Sequence, residues 1–530
     1  MPRKLIVTHR KAMIAKYKNA GWKQIESAIQ QLIAADGKRG LQTSLLLLDD
    51  ANALGNSAMN KVGDQKQAKQ AIDAAFRKRL DPEYLMILGG PELVPHQDLI
   101  NPVTRRDPDK LVPSDLPYAC AGAHHTDVRR FIGATRVVGR LPDVVGRKDP
   151  SYLIGLLETA AGAPSIPMSK VEHFAVSAQI WVDATQAVLR QALGAHKPKA
   201  SVAPPSGPPW KRKALARTLH LINCHGGPAD PQFYGEDEYG DQPVSYESAD
   251  LVGKIPFGAV AAAECCYGAE LYDPGKSGPP GISNVYLAEG AAGYLGSTTI
   301  AYGADSSDIS DADILCELFL SLVLGGATLG RALLQARQTY VKRCAPLSQT
   351  EYKTLAQFLL LGDPSQRPVV PKGETVVASG KSAAKHAKHR KFLITQGKCL
   401  PLSVPKSSKV ARRSGARLRD MLTKLARRNG VEPTMFESFR VAKPAARAKG
   451  PAMKGVMGKR TASVHLMFGA DLKQAKRRDR SVGPVVPITL VVAKLDAQNA
   501  VVSSKKVVSR GAMLQATKSR ADVTAKKRSS

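Results

Sequence analysis

The chain is written as a succession of short apolar runs, each closed by glycine or a polar residue and separated from the next by longer amphipathic stretches. LQTSLLLLDD (41–50), EYLMILGGPELVP (83–95) and RVVGRLP (136–142) form a first series. KVEHFAVSAQ (170–179), TLHLINCHGG (218–227), FGAVAAAECC (257–266) and AAGYLGSTTIAYG (291–303) form a second. Apolar runs of this length between turn signals read as buried strands. Strands that alternate with helices build an α/β layer around a mostly parallel sheet.

The spacing predicts a helix in YLIGLLETAAG after RVVGRLP, which sets a subdomain boundary near residue 150. ADILCELFLSLVLGGATLGRALLQARQTYVKR predicts two helices parted by a glycine pair, and TLAQFLLLGDPS (354–365) is expected to close the fold as a helix at about residue 368. A chain of 530 residues has room for about three domains.

Charge divides the molecule further. Residues 371–530 hold 37 of the Lys and Arg against 8 of the Asp and Glu, so nearly all of the net charge of +32 lies there. A basic linker is expected over 369–407 and a basic C-terminal region over 408–530. Its Lys-, Ala-, Ser- and Pro-rich segments are too poor in apolar residues to pack and are expected to be disordered. ARLRDMLTKLARRNG (416–430) has helical spacing, and SVHLMFGA (463–470) with PVVPITLVVAKL (484–495) reads as strands, so a small α+β unit is expected within this region. Such a block binds polyanions by counterion release, which makes nucleic acid or an acidic protein its expected partner. Phe392, Phe436, Phe439 and Phe468 are its only aromatic residues, which argues against base stacking.

Several function classes are disfavoured. No run approaches the about 18 apolar residues of a membrane span, so no membrane association is expected. The apolar LIV near the N-terminus is shorter than a secretory core segment, and no leader is expected. Seven cysteines without a CxxC pair fit a reduced cytoplasm better than a disulfide framework. DPGKSG (273–278) lacks the first glycine of a phosphate loop because Glu270 stands there, and Cys120, His124 and His125 lack a fourth ligand for zinc. No cofactor or metal is expected.

Ligands of open parallel sheets bind at the carboxyl ends of the strands. Two such ends deliver His225 followed by Gly226, and Cys265 and Cys266 followed by Gly268. A thiolate is a strong nucleophile, and an adjacent imidazole can take its proton and later give one to a leaving amine. The glycine after the histidine lets backbone N–H groups approach a developing oxyanion. Side chains alternate along a strand, so one cysteine of the pair faces His225 and the other packs.

An apolar strand ending in His-Gly, followed about forty residues later by one ending in Glu-Cys-Cys, resembles the caspase, legumain and gingipain clan of cysteine peptidases. MILGGPELVP, PSDLPYACAG, RVVGRLP, GYLGSTTIAYG and LLLGDPS resemble the gingipain branch, over roughly residues 84–368. The resemblance implies a caspase-like open sheet flanked by helices, with residues 1–150 as a smaller α/β subdomain and 151–368 as the catalytic one. It implies a Cys/His dyad that hydrolyses peptide bonds through an acyl-enzyme, on protein or peptide substrates and after basic residues. Cys266 is then the nucleophile, with Cys265 the alternative in a register one residue earlier. His225 is the base, and Gly226 with the nucleophile's own N–H lines the oxyanion hole.

The acidic loop YGEDEYGDQ (234–242) offers Glu236, Asp237, Glu238 and Asp241 as a candidate specificity or ion site, although its spacing matches no calcium motif. Asp115 in PSDLPY is a further candidate for the specificity pocket. The alternative function is a catalytically inactive scaffold of the same fold whose basic region does the work.

Overall fold

The structure, a computed structural model, describes residues 1–78, 82–103, 107–194, 198–275, 278–371 and 374, and then 416–429, 431–441, 462–471, 485–486, 489–495, 501–509 and 514–515. The expected linker from 375 to 407 lies outside the described residues, as do most of the Lys- and Pro-rich segments beyond it.

Ten strands form one sheet. In chain order they are β1 (Arg3–Thr8), β2 (Gln42–Leu47), β3 (Tyr84–Leu88), β4 (Val137–Leu141), β5 (His173–Ala178), β6 (Ser201–Ala203), β7 (Leu219–Asn223), then β11 (Val260–Ala263), β12 (Gly293–Ser297) and β14 (Phe358–Gly362). The strands between these numbers are small: β8 (His225–Gly226), β9 (Gln232–Tyr234), β10 (Val244–Glu247) and β13 (Tyr302–Gly303). The spatial order is β2-β1-β3-β4-β14-β12-β11-β7-β5-β6. Every neighbouring pair is parallel except β12 with β14, where Leu295 faces Leu360. The α/β architecture with a mostly parallel sheet is therefore the one expected.

Helices cover both faces because the strands are apolar on both. α2 (Gln65–Lys78), α4 (Val182–Leu193), α6 (Ala312–Leu324) and α7 (Leu329–Cys344) pack on the face that carries Leu5, Leu85, Leu221 and Ala262. α1 (Arg10–Lys38), α3 (Ser151–Gly162) and α5 (Ile282–Ala288) pack on the face that carries Ile6, Met86, Ile222 and Ala263. These residues alternate one by one along each strand, as a pleated backbone requires.

One expectation is corrected. TLAQFLLLGDPS is helical only to Gln357, where α8 (Gln349–Gln357) ends; Phe358–Gly362 is the strand β14. A run of leucines is compatible with either state, and burial between β4 and β12 decides for the strand. RKLIVT near the N-terminus is likewise a strand, held by a fully buried cluster in which Lys4 Nζ lies 2.5 Å from Asp36 and 2.6 Å from Asp363.

The C-terminal part contains the helix expected at 416–430, here α9 (Ala416–Arg428), and the strands β15 (Val431–Val441), β16 (Ala462–Asp471), β17 (Thr489–Leu495) and β18 (Val501–Ser509). They form an antiparallel sheet in the order β13-β18-β17-β16-β15. Leu422, Ala426, Val431, Val491 and Ala493 make a small core between helix and sheet. Its edge strand β13 comes from the first part of the chain.

Candidate active site

The histidine strand and the cysteine turn meet at the carboxyl ends of β7 and β11, which pair in register from Leu219 with Val260 to Ile222 with Ala263. Past β7 the chain continues through β8 into an antiparallel hairpin in which His225 faces Tyr234 and Gly226 faces Phe233. A Cβ on Gly226 would lie 2.1 Å from the carbonyl oxygen of Cys266. Only glycine lets these two backbones touch, and the contact seats the His-Gly strand directly on the cysteine turn.

The two cysteines occupy different layers. Cys265 belongs to the α1 face, where its Sγ accepts from the Cys224 N–H (3.4 Å) and donates to the Ile222 carbonyl (3.7 Å). Cys266 belongs to the α6 face, the one that also receives Leu221. Its Sγ accepts from the Ala301 N–H at 3.0 Å and donates to the Ala301 carbonyl at 3.5 Å. Burial pushes the Cys266 thiol far above its ordinary pKa.

Directly after Cys266 the chain reverses sharply. Tyr267 has φ 55°, a left-handed conformation that costs a bulky residue on the order of 1 kcal/mol. The turn is held by the Tyr267 N–H on the Thr299 carbonyl (3.1 Å) and by the Tyr267 hydroxyl on Asp109 (2.7 Å). Burial alone would raise the Asp109 carboxyl, but Lys353, 2.7 Å away, together with Tyr267 outweighs it and holds the carboxyl below its usual range. Backbone strain maintained by surrounding contacts is a frequent property of reactive sites.

His225 is buried and fully provided for on one side. Its Nε2 donates to Glu236 Oε2 at 2.5 Å, Gln242 Nε2 lies 3.3 Å away, and the Trp181 ring packs at 4.4 Å. A carboxylate can only accept, so Nε2 carries the hydrogen of this bond and Nδ1 is the nitrogen turned away from Glu236. Glu236 is therefore committed to His225 through Oε2 in this structure. The sequence held the signal: GPADP after His225-Gly226 is turn chemistry, and a hairpin there returns Glu236 to the imidazole. The remaining acidic residues do not converge. Asp237 Oδ1 accepts from the N–H groups of Tyr239 (2.8 Å) and Asp241 (2.9 Å), which closes the loop on itself, while Glu238 and Asp241 are exposed.

Asp115 is also committed elsewhere. Arg140 grips it through Nε (2.8 Å) and Nη2 (2.6 Å), and His96 Nδ1 lies at 3.0 Å. Burial raises this carboxyl, yet Arg140 and His96 outweigh burial and the net shift is strongly downward. Both oxygens of Asp115 are thus engaged by Arg140, with His96 beside one of them. Among the described residues no group of three His, Cys, Asp or Glu side chains could hold a metal ion.

Glu270, four residues past Cys266, was not singled out by any motif. Its Oε2 accepts the Ala229 N–H at 2.6 Å, tying the cysteine turn to the loop after Gly226-Gly227, and it lines a cleft of about 320 Å³ with Leu271, His96, Asp98 and Thr298. Burial pushes its carboxyl up to about 7. A raised folded-state pKa gives stability that is complete below the unfolded value and is lost as pH rises through the folded one. Wild-type protein is therefore expected to lose up to about 3 kcal/mol relative to Glu270→Gln between about pH 4.5 and 7, read by urea denaturation at each pH.

Residues 251–369 match the family model described as peptidase family C25. The matched segment contains both cysteines of the turn and Glu270, whereas His225 and Glu236 precede it. The match supports a cysteine peptidase. Among solved structures the chain is similar to the Arg-specific cysteine proteinase gingipain R, at 10% identity and a TM-score of 0.48 over 95% of this chain and 97% of that one. It is similar to the complex of pro- and mature domains of the Porphyromonas gingivalis enzyme at 11% identity, with a TM-score of 0.48 over 95% of this chain and 99% of that one. A partial similarity reaches the Saccharomyces cerevisiae separase–securin complex, at 14% identity and a TM-score of 0.31 over 57% of this chain and 17% of that one. No curated protein matches the sequence.

Proposed function

We propose that this chain, gingipain-like through its peptidase family C25 segment at residues 251–369, is a cysteine endopeptidase with Cys266 as nucleophile and His225 as base. The observation that carries the reading is the contact of Gly226 with the Cys266 carbonyl, which joins the histidine strand to the cysteine turn.

In the reaction, Nδ1 of His225 takes the thiol proton and the Cys266 sulfur attacks the scissile carbonyl carbon. The oxyanion is received by the N–H groups of Gly226 and Cys266. His225 then gives its proton to the departing amine as the C–N bond breaks, and water hydrolyses the thioester to restore the thiol. Cleavage after basic residues is part of the proposal, as the resemblance of the strand-end motifs to the gingipain branch implies. A peptide library profiled with wild type and with each single cysteine variant tests both reaction and preference; absence of cleavage in every peptide by protein whose Cys266 thiol is accessible to alkylation would remove the assignment.

Glu236 acts on the reaction through His225 by fixing its tautomer and stabilising the imidazolium. Glu236→Gln is expected to lower kcat by roughly ten- to a hundredfold with little change in KM. The acid limb of the pH–rate profile should move, which a merely structural role would not produce.

The second reading, an inactive scaffold, draws on the buried Cys266 thiol with both its bonds on Ala301. In either reading the basic C-terminal region binds nucleic acid or an acidic protein surface. For a phosphate-binding role, the affinity for duplex DNA should fall by about a thousandfold or more between 50 and 200 mM salt, measured by fluorescence anisotropy. A salt-independent affinity would exclude it.

A further inference from the structure

The bonds that mask the Cys266 thiol come from a segment with a second attachment. Residues 299–303 form a strap across the cysteine turn: the Thr299 carbonyl accepts from Tyr267, the Ile300 N–H donates to Asp109 (2.9 Å), and Ala301 holds Sγ through both its N–H and its carbonyl. The next two residues, Tyr302 and Gly303, are β13, and β13 is the edge strand of the C-terminal sheet. Tyr302 pairs with Ser509 and Gly303 with Val508, antiparallel. An unpaired strand edge is a template for an added strand, and here the chain fills it with its own β18.

We propose that the C-terminal sheet is a brake in cis: by taking Tyr302–Gly303 as its fifth strand, it holds the strap on the Cys266 thiol, and release of β18 from β13 unmasks that thiol. The inference rests on Cys266 being the nucleophile. It reconciles the contact between the histidine strand and the cysteine turn with a sulfur turned to Ala301. The structure then shows a latent form, and a partner that competes for β18 or for the edge of β13 activates it.

The test is made on the full chain, with the alkylation rate of each cysteine by iodoacetamide followed by mass spectrometry. Val508→Pro removes a backbone donor from β18 and is expected to raise the Cys266 rate at least tenfold while Cys120, Cys316 and Cys344 keep wild-type rates. An unchanged Cys266 rate overturns the brake. If every buried cysteine reacts faster, the variant has lost its fold, and the decision passes to a second variant, Gly303→Cys with Val508→Cys. Antiparallel partners lie at about 4.5 to 5.5 Å between Cα atoms, within reach of a disulfide. With this bond closed, Cys266 should stay masked at urea concentrations where the reduced form is labelled at least tenfold faster. Equal labelling of oxidised and reduced forms at every urea concentration overturns the proposal. Alkylation needs no turnover, so the two assignments separate. Unmasking without cleavage of any peptide retains the brake and removes the peptidase, whereas cleavage that is indifferent to unmasking removes the brake alone.

Discussion

Cys266→Ala is expected to lower peptide hydrolysis by at least about a thousandfold, while Cys265→Ala stays within a few-fold of wild type. The contrast follows from the layers. Cys265 lies on the α1 face, its sulfur bonded to Cys224 and Ile222 and packed in the layer opposite Cys266. Cys266 lies on the other face, at the strained Tyr267 turn and against Gly226. Loss of the nucleophile leaves only binding and oxyanion contacts, which explains the size of the effect. Truncating Cys265 removes one buried sulfur and is expected to cost about 1 kcal/mol of stability without touching the chemistry. Steady-state kinetics on the two variants, with denaturation curves for each, decides the matter. The reverse ranking would move the nucleophile to Cys265 and with it the oxyanion geometry.

The largest effect on stability is expected at Arg140. This guanidinium is fully buried, binds Asp115 through two nitrogens and donates from Nη1 to the carbonyls of Gly89 and Val94, both at 2.8 Å. Arg140→Ala leaves the Asp115 carboxylate buried without its partner and two carbonyls without a donor, and is expected to cost about 3 to 5 kcal/mol. A double variant that also carries Asp115→Asn should regain part of that loss, because the stranded charge is gone. The same pair has a pH signature. Since the folded-state pKa of Asp115 lies below its unfolded value, its contribution is complete above about pH 4 and is lost as pH falls further. The wild type should therefore lose stability below about pH 4 more steeply than the double variant, as measured by urea denaturation. Equal acid slopes would show that the pair contributes nothing through ionisation.

Much of this was legible in the residues themselves. The apolar runs closed by Gly and polar residues announced an α/β sheet. The adjacent cysteines do enter different layers, as strand alternation suggested, but they do so from the turn that follows β11. The segregation of positive charge beyond residue 370 and the helical spacing of ARLRDMLTKLARRNG were equally local properties. Other features required the folded chain. FLLLG suits a helix or a strand, and only its place between β4 and β12 selects one. Asp115 and Glu236 look like open acidic groups along the sequence. A carboxylate's role depends on which cation or imidazole reaches it, and Arg140 and His225 arrive from other elements. The bond from Ala301 to the Cys266 sulfur, and the pairing of β13 with β18 more than two hundred residues away, arise from long-range contacts that no local pattern encodes. Sequence thus determined which residue types stand at which strand ends, through periodicity and turn chemistry. Tertiary structure decided which of them touch, because burial and partner geometry are properties of the assembled sheet.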